Sequence, residues 1–140
     1  MKKILITLFA MITYANIAFG QVTITLNDLV GTKWQLLEDY ESNSKEYYEF
    51  TKNAVIWHRS DNTTSSNPYY LTTAIPTSFD SSKIGVQTRG CYYVEYNPKM
   101  NYFYCDAIMS FNKSTGRMVC KTMNKDIIGL TDTFTFVLMK

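Results

Sequence analysis

The chain has 140 residues, with 14 Lys and Arg against 12 Asp and Glu, three Cys and a single His. Its basic residues are scattered singly, which excludes the basic stripe a polyanion needs, so no nucleic-acid partner is expected. One His and cysteines spaced fourteen and fifteen residues apart (Cys91, Cys105, Cys120) match no tight zinc pattern, and neither a metal nor a cofactor is expected.

Residues 1–20 read as a processed leader. Lys2 and Lys3 precede an apolar stretch from Ile4 to Ala15, and Ala18 and Gly20 are small residues at the −3 and −1 positions of a cleavage site. The stretch is interrupted by Thr7 and Thr13 and falls short of the ~20 residues that span a bilayer. Gln21 would begin the mature chain, and no cysteine follows the cleavage site to carry a lipid anchor. The expected product is exported, periplasmic or secreted, with 140 − 20 = 120 residues and 14 − 2 = 12 basic residues against 12 acidic ones. That is one domain, residues 21–140, with a net charge of zero.

Along this domain Tyr, Phe, Thr, Val and Ile gather in short runs separated by Asn, Gly, Pro and Ser, which predicts an all-β fold. A helical turn comes first at "NDLVG", with Asn27 as its N-cap and Gly31 ending it. Eight strands follow, at about 33–41, 46–51, 54–60, 68–74, 87–96, 100–111, 116–123 and 132–140. The connections are short, with Asn53 expected at positive φ in "TKNA" and turns at Asn97 with Pro98 and before Gly116. The exception is a long loop at 74–86.

The two-residue period assigns the faces. Phe103, Cys105, Ala107, Met109 and Phe111 are expected inside, as are Met118, Cys120 and Thr122, then Phe134, Phe136 and Leu138. Tyr92, Val94 and Tyr96 are expected inside, with Arg89 and Glu95 outside. Of the paired tyrosines, Tyr48, Tyr69 and Tyr92 should point in and Tyr47, Tyr70 and Tyr93 out. Cys105 and Cys120 would then face one another and form a possible disulfide, or remain two buried thiols. Eight antiparallel strands in chain order are best satisfied by an up-and-down barrel, which removes the sheet edges; a two-sheet sandwich is the rival.

A helical turn, then Gly31 and Trp34 at the start of the first strand, then eight strands, resembles the lipocalin and wider calycin families. Their signature is Gly-x-Trp, here lengthened by one residue, and the resemblance implies a basic residue of the last strand over the Trp ring, for which Lys140 has the right parity. "YYL" at 69–71, "SFDSSKIG" at 78–85 and "GCYYVEY" at 90–96 are similar to small exported bacterial lipocalin-like proteins. What this implies is a barrel holding a small hydrophobic or amphipathic molecule, lined by Trp34, Tyr48, Tyr69, Tyr92, Phe103 and Phe134, with Glu38 as an inward polar anchor. The alternative is a filled barrel that binds an unidentified protein through its loops or outer Tyr rows, as protease inhibitors of calycin fold do. Enzymatic activity is not expected, because His58 has no Ser-containing elbow motif and no Cys beside it in sequence.

Overall fold

A computed structural model describes residues 21–124 and 133–140. The expected leader lies outside these residues. Eight strands close into an antiparallel up-and-down barrel: β2 (Lys33–Leu36), β3 (Tyr47–Phe50), β4 (Ala54–His58), β5 (Thr64–Thr72), β7 (Tyr92–Asn97), β8 (Tyr102–Asn112), β9 (Arg117–Thr122) and β10 (Thr133–Leu138). Closure is made by β10 on β2, with Phe136 opposite Leu36, Val137 opposite Gln35 and Leu138 opposite Trp34. Two further strands, β1 (Ile24–Thr25) and β6 (Arg89–Gly90), form a small ribbon beside the barrel that the sequence patterning does not reveal. Gly90 is required there: a Cβ would sit 2.3 Å from the Thr72 carbonyl oxygen of β5.

The lower end is sealed by helix α1 (Leu26–Leu29). Its N-cap is Thr25 rather than Asn27: the Asp28 carboxylate accepts from the Thr25 backbone N–H at 2.8 Å and from its hydroxyl at 3.0 Å. Gly31 ends the turn at φ +80°, a conformation that costs glycine little, and its N–H donates to the Phe50 carbonyl. Above this cap Leu29, Trp34, Phe50, Val55, Tyr69, Leu71, Ile108, Met118 and Cys120 form one buried cluster, which is the barrel interior.

The first strand is shorter than expected. After Leu36 the chain turns into helix α2 (Leu37–Glu41). Residues 35–42 contain no β-branched side chain, and Leu and Glu favour a helix, so nothing local extends the strand. The strand expected at 87–96 is divided at Cys91 into β6 and β7, and the one expected at 68–74 begins earlier, at Thr64. In the 51–54 turn Asn53 is not at positive φ, because the Thr51 hydroxyl holds the turn by accepting from the Ala54 N–H at 3.0 Å.

Two face assignments are reversed. On β7 it is Tyr93 that lines the interior, while Tyr92 and Val94 face out; on β8 Asp106 and Ile108 face in, while Phe103 and Cys105 face out. The cause is a second apolar cluster on the outer wall, where Tyr70, Val94 and Cys105 are covered by Phe79 and Ile84 of the long loop together with Tyr92, Phe103 and Met123. With both faces buried, alternation no longer marks the inside. A bulge between Ile108 and Ser110 then shifts the parity of β8, so that Phe111 returns to the interior and packs 5.8 Å from the Trp34 ring.

The same reversal separates Cys105 from Cys120. Cys120 pairs with Ile108 inside, Cys105 lies outside with Val94, and all three cysteines are free thiols. Beyond the first residue of β7 the amino-terminal segment takes over beside β8, where the Val22 N–H donates to the Ile108 carbonyl at 2.8 Å and the Gln21 side chain to the Tyr92 hydroxyl at 2.7 Å.

Candidate functional site

The concave features of the barrel interior lie one above the other. A small void of about 30 Å³ is walled by Leu29, Tyr48, Phe50, Tyr93, Asp106, Ile108, Met118, Cys120 and Phe136. That is room for about one water molecule. Above it, a chamber of about 230 Å³ is lined by Leu36, Glu38, Tyr48, Tyr104, Asp106, Thr122, Phe134 and Phe136. Tyr48, Asp106 and Phe136 belong to both walls, so they separate the two spaces.

The aromatic part of the chamber is a connected set. The Tyr48 ring meets Phe136 edge-on at 5.7 Å and stacks on Trp57 at 6.1 Å, and Phe134 meets Phe136 edge-on at 5.4 Å. These are favourable aromatic geometries, and the wall is pre-formed. Trp57 carries the Arg59 guanidinium over its face at 4.2 Å, and its own Nε1 is the buried side-chain polar atom that lacks a partner among the described residues.

The polar part is acidic. Asp106 is 8% exposed and takes a hydrogen bond from Thr122 across the β8–β9 pair. Burial pushes its carboxyl up to about 7, the negative charge of Glu95 adds to the rise, and the Thr122 bond opposes it. Glu95 accepts from the Asn67 amide and the Tyr93 hydroxyl, each at 2.7 Å, and burial raises its carboxyl despite these bonds. Burial also raises the Tyr48 hydroxyl, with Glu95, Asp39 and Glu46 acting in the same direction and Arg59 against them. Tyr48 and Tyr93 are therefore neutral hydroxyls at physiological pH.

The expected ligand-lining residues divide. Tyr48, Phe134 and Glu38 reach the chamber, Glu38 from the exposed rim of α2 rather than from a strand. Trp34 and Tyr69 point inward but belong to the packed lower interior: the Trp34 indole N–H donates to the Thr32 hydroxyl at 2.7 Å and the Tyr69 hydroxyl to the Thr51 carbonyl at 2.7 Å. Tyr92 and Phe103 lie on the outer wall. The ring packed on Trp34 is Phe111; among the described residues no cation lies over it, and Lys140 is exposed.

Sequence reasoning missed Asp106, Glu95, Tyr93 and Tyr104 as interior groups. The available signal was the mixture of apolar residues at both parities, "YFYCDAI", which marks a strand buried on both faces. His58 lies on the outer wall, stacked on Tyr47 at 4.2 Å and 2.9 Å from a Glu49 carboxylate oxygen, so its surroundings are a surface pair. A larger groove of about 540 Å³, with Lys113, Arg117 and Lys140 along it, is also outside the barrel. Its lining is about half polar, whereas that of the chamber is mostly apolar, as in most ligand sites, so the chamber is the stronger candidate. No protein-family model matches this chain, and comparison with curated proteins and with solved structures returns no significant match.

Proposed function

We propose that this chain is an exported, lipocalin-like binding protein that takes one small hydrophobic or amphipathic molecule in its upper chamber. The observation that carries this reading is the chamber itself, about 230 Å³ of space walled by Tyr48, Tyr104, Phe134 and Phe136 with a few convergent polar groups. The ligand sits shallowly, because Trp34, Tyr69 and their neighbours fill the interior below. A compact ring with a polar tip fits; a long acyl chain does not.

The test is a fluorescence titration of the mature protein with phenethyl alcohol, Trp57, stacked on Tyr48 of the chamber wall, acting as reporter. A saturable change that is lost in Thr122→Phe, which fills the chamber, supports the reading, provided circular dichroism shows the variant folded. No response from the wild type moves the assignment to the second reading, a filled barrel that binds a protein. The near-absence of space below Tyr48 favours that second reading.

A further inference from the structure

We infer that the upper chamber selects a small organic cation, a protonated amine on a compact apolar or aromatic body, with its ammonium placed against the Asp106 carboxylate. This rests on the chamber being a binding site at all. It adds which end of the ligand is recognised and by what charge.

Three observations converge. Asp106 is nine-tenths buried, forms part of both cavity walls, and among the described residues receives its side-chain hydrogen bond from Thr122. A carboxylate offers about four acceptor positions, so an enclosed one with a single donor is under-satisfied, and the chamber is where an organic donor can reach it. Glu95, by contrast, has a donor on each oxygen and needs no further partner.

The second observation is the missing counter-charge. Arg59 is held by the Trp57 face and by Ser65, to whose hydroxyl it donates at 2.9 Å, and no ion pair among the described residues joins it to Asp106. The rim adds another carboxylate, Glu38. The third is the aromatic wall: Tyr48, Tyr104, Phe134 and Phe136 present ring surface to the space in which the ammonium would sit, and ring faces attract cations. A carboxylate ligand would meet Asp106 and Glu38, and among the described residues that line the chamber there is no cation to receive it.

The groups around Asp106 are Tyr104 on its own strand, Tyr93 and Glu95 on β7, Cys120 on β9, Tyr48 on β3 and Glu38 on α2. The cysteine and tyrosine groups among them whose shifts are resolved, Tyr48, Tyr93 and Cys120, are all raised and stay neutral below pH 8. With the Asp106 carboxyl pushed up to about 7, amine binding requires its ionisation and weakens as the pH falls through that value. Binding of an uncharged isostere does not.

Calorimetric titration of the mature protein with phenethylamine, phenethyl alcohol and phenylacetate separates the outcomes. At about pH 8 the amine is expected to bind roughly tenfold tighter than the alcohol, as a hydrogen bond to a charged group exceeds a neutral one, and phenylacetate weakest. In Asp106→Asn the preference for the amine over the alcohol is lost. In the wild type, lowering the pH to about 5.5 removes the preference without any substitution, so a variant that fails to fold leaves the inference testable. Equal binding of amine and alcohol at the higher pH overturns the cation inference and leaves the chamber standing as a hydrophobic site. Absence of binding by all three overturns both.

Discussion

The two ends of the barrel draw on the same strands and treat the interior in opposite ways. At the lower end Leu29, Trp34, Phe50, Leu71, Ile108 and Met118 interlock beneath α1, and the polar groups there have partners within the protein, as Trp34 has in Thr32 and Tyr69 in Thr51. At the upper end Asp106 and Glu95 are drawn in among Tyr48, Phe134 and Phe136, and space is left beside them. Buried carboxylates cost stability, and cavities forfeit packing. The lower end thus supplies the stability that the upper end gives up, and substitutions at the two ends should move stability in opposite directions.

The sharpest test of the lower end is Trp34→Ala. Trp34 has no exposed surface, and its removal should cost about 3–5 kcal/mol in denaturant unfolding, a large part of the stability of any domain this size. A loss under about 1 kcal/mol would show that this end is not the stabilising half.

At the upper end Asp106→Asn should raise stability in alkaline solution. The Asp106 carboxyl rises from 3.8 to about 7 on folding, so through that window the folded state holds a proton that the unfolded state has released. Wild-type stability therefore falls as the pH rises from about 4 to 7 and then levels, the signature of a group whose folded pKa is raised. The variant lacks this loss, so its advantage should grow from nothing near pH 4 towards a ceiling of about 4 kcal/mol above pH 7, roughly three pKa units at 1.36 kcal/mol each. Thermal melts of both proteins at a series of pH values check it, and a difference independent of pH would remove the carboxylate as the cause.

The smallest effect returns to the lower end. Tyr69→Phe keeps the ring and deletes the hydroxyl bond to Thr51, which should cost about 1 kcal/mol and leave the ligand titrations unchanged. A change in binding would extend the site below Tyr48.

The barrel was readable from alternation wherever one face of a strand meets water. On β9 and β10 the inward rows Met118, Cys120, Thr122 and Phe134, Phe136, Leu138 stand as the two-residue period assigns them, and Tyr48 and Tyr69 with them. On β7 and β8 Phe79 and Ile84 of the long loop cover the outer wall, and apolar residues at both parities made Cys105 and Tyr92 look as inward as Ile108 is. That cost the sequence reading its most informative residues, since Asp106 and Glu95 are the buried carboxyl groups of the interior. Glu38 reached the chamber by another route, a helix in place of the expected strand. Covering loops and bulges are long-range properties of the fold, which a local period does not record.

The seam between β10 and β2 joins Phe136 to Leu36, partners one hundred residues apart in the chain. Such a pairing comes late in folding, because the entropy of closing so long a loop must be met before the contact repays it. β10 is also the last of the barrel strands to emerge during synthesis. Until it does, Trp34 and Leu36 have no neighbour on that side and the cylinder stays an unrolled sheet. The molecule therefore has a built-in delay: an unfinished chain cannot lock shut, and shortening the last strand should leave a product that unrolls rather than a smaller barrel.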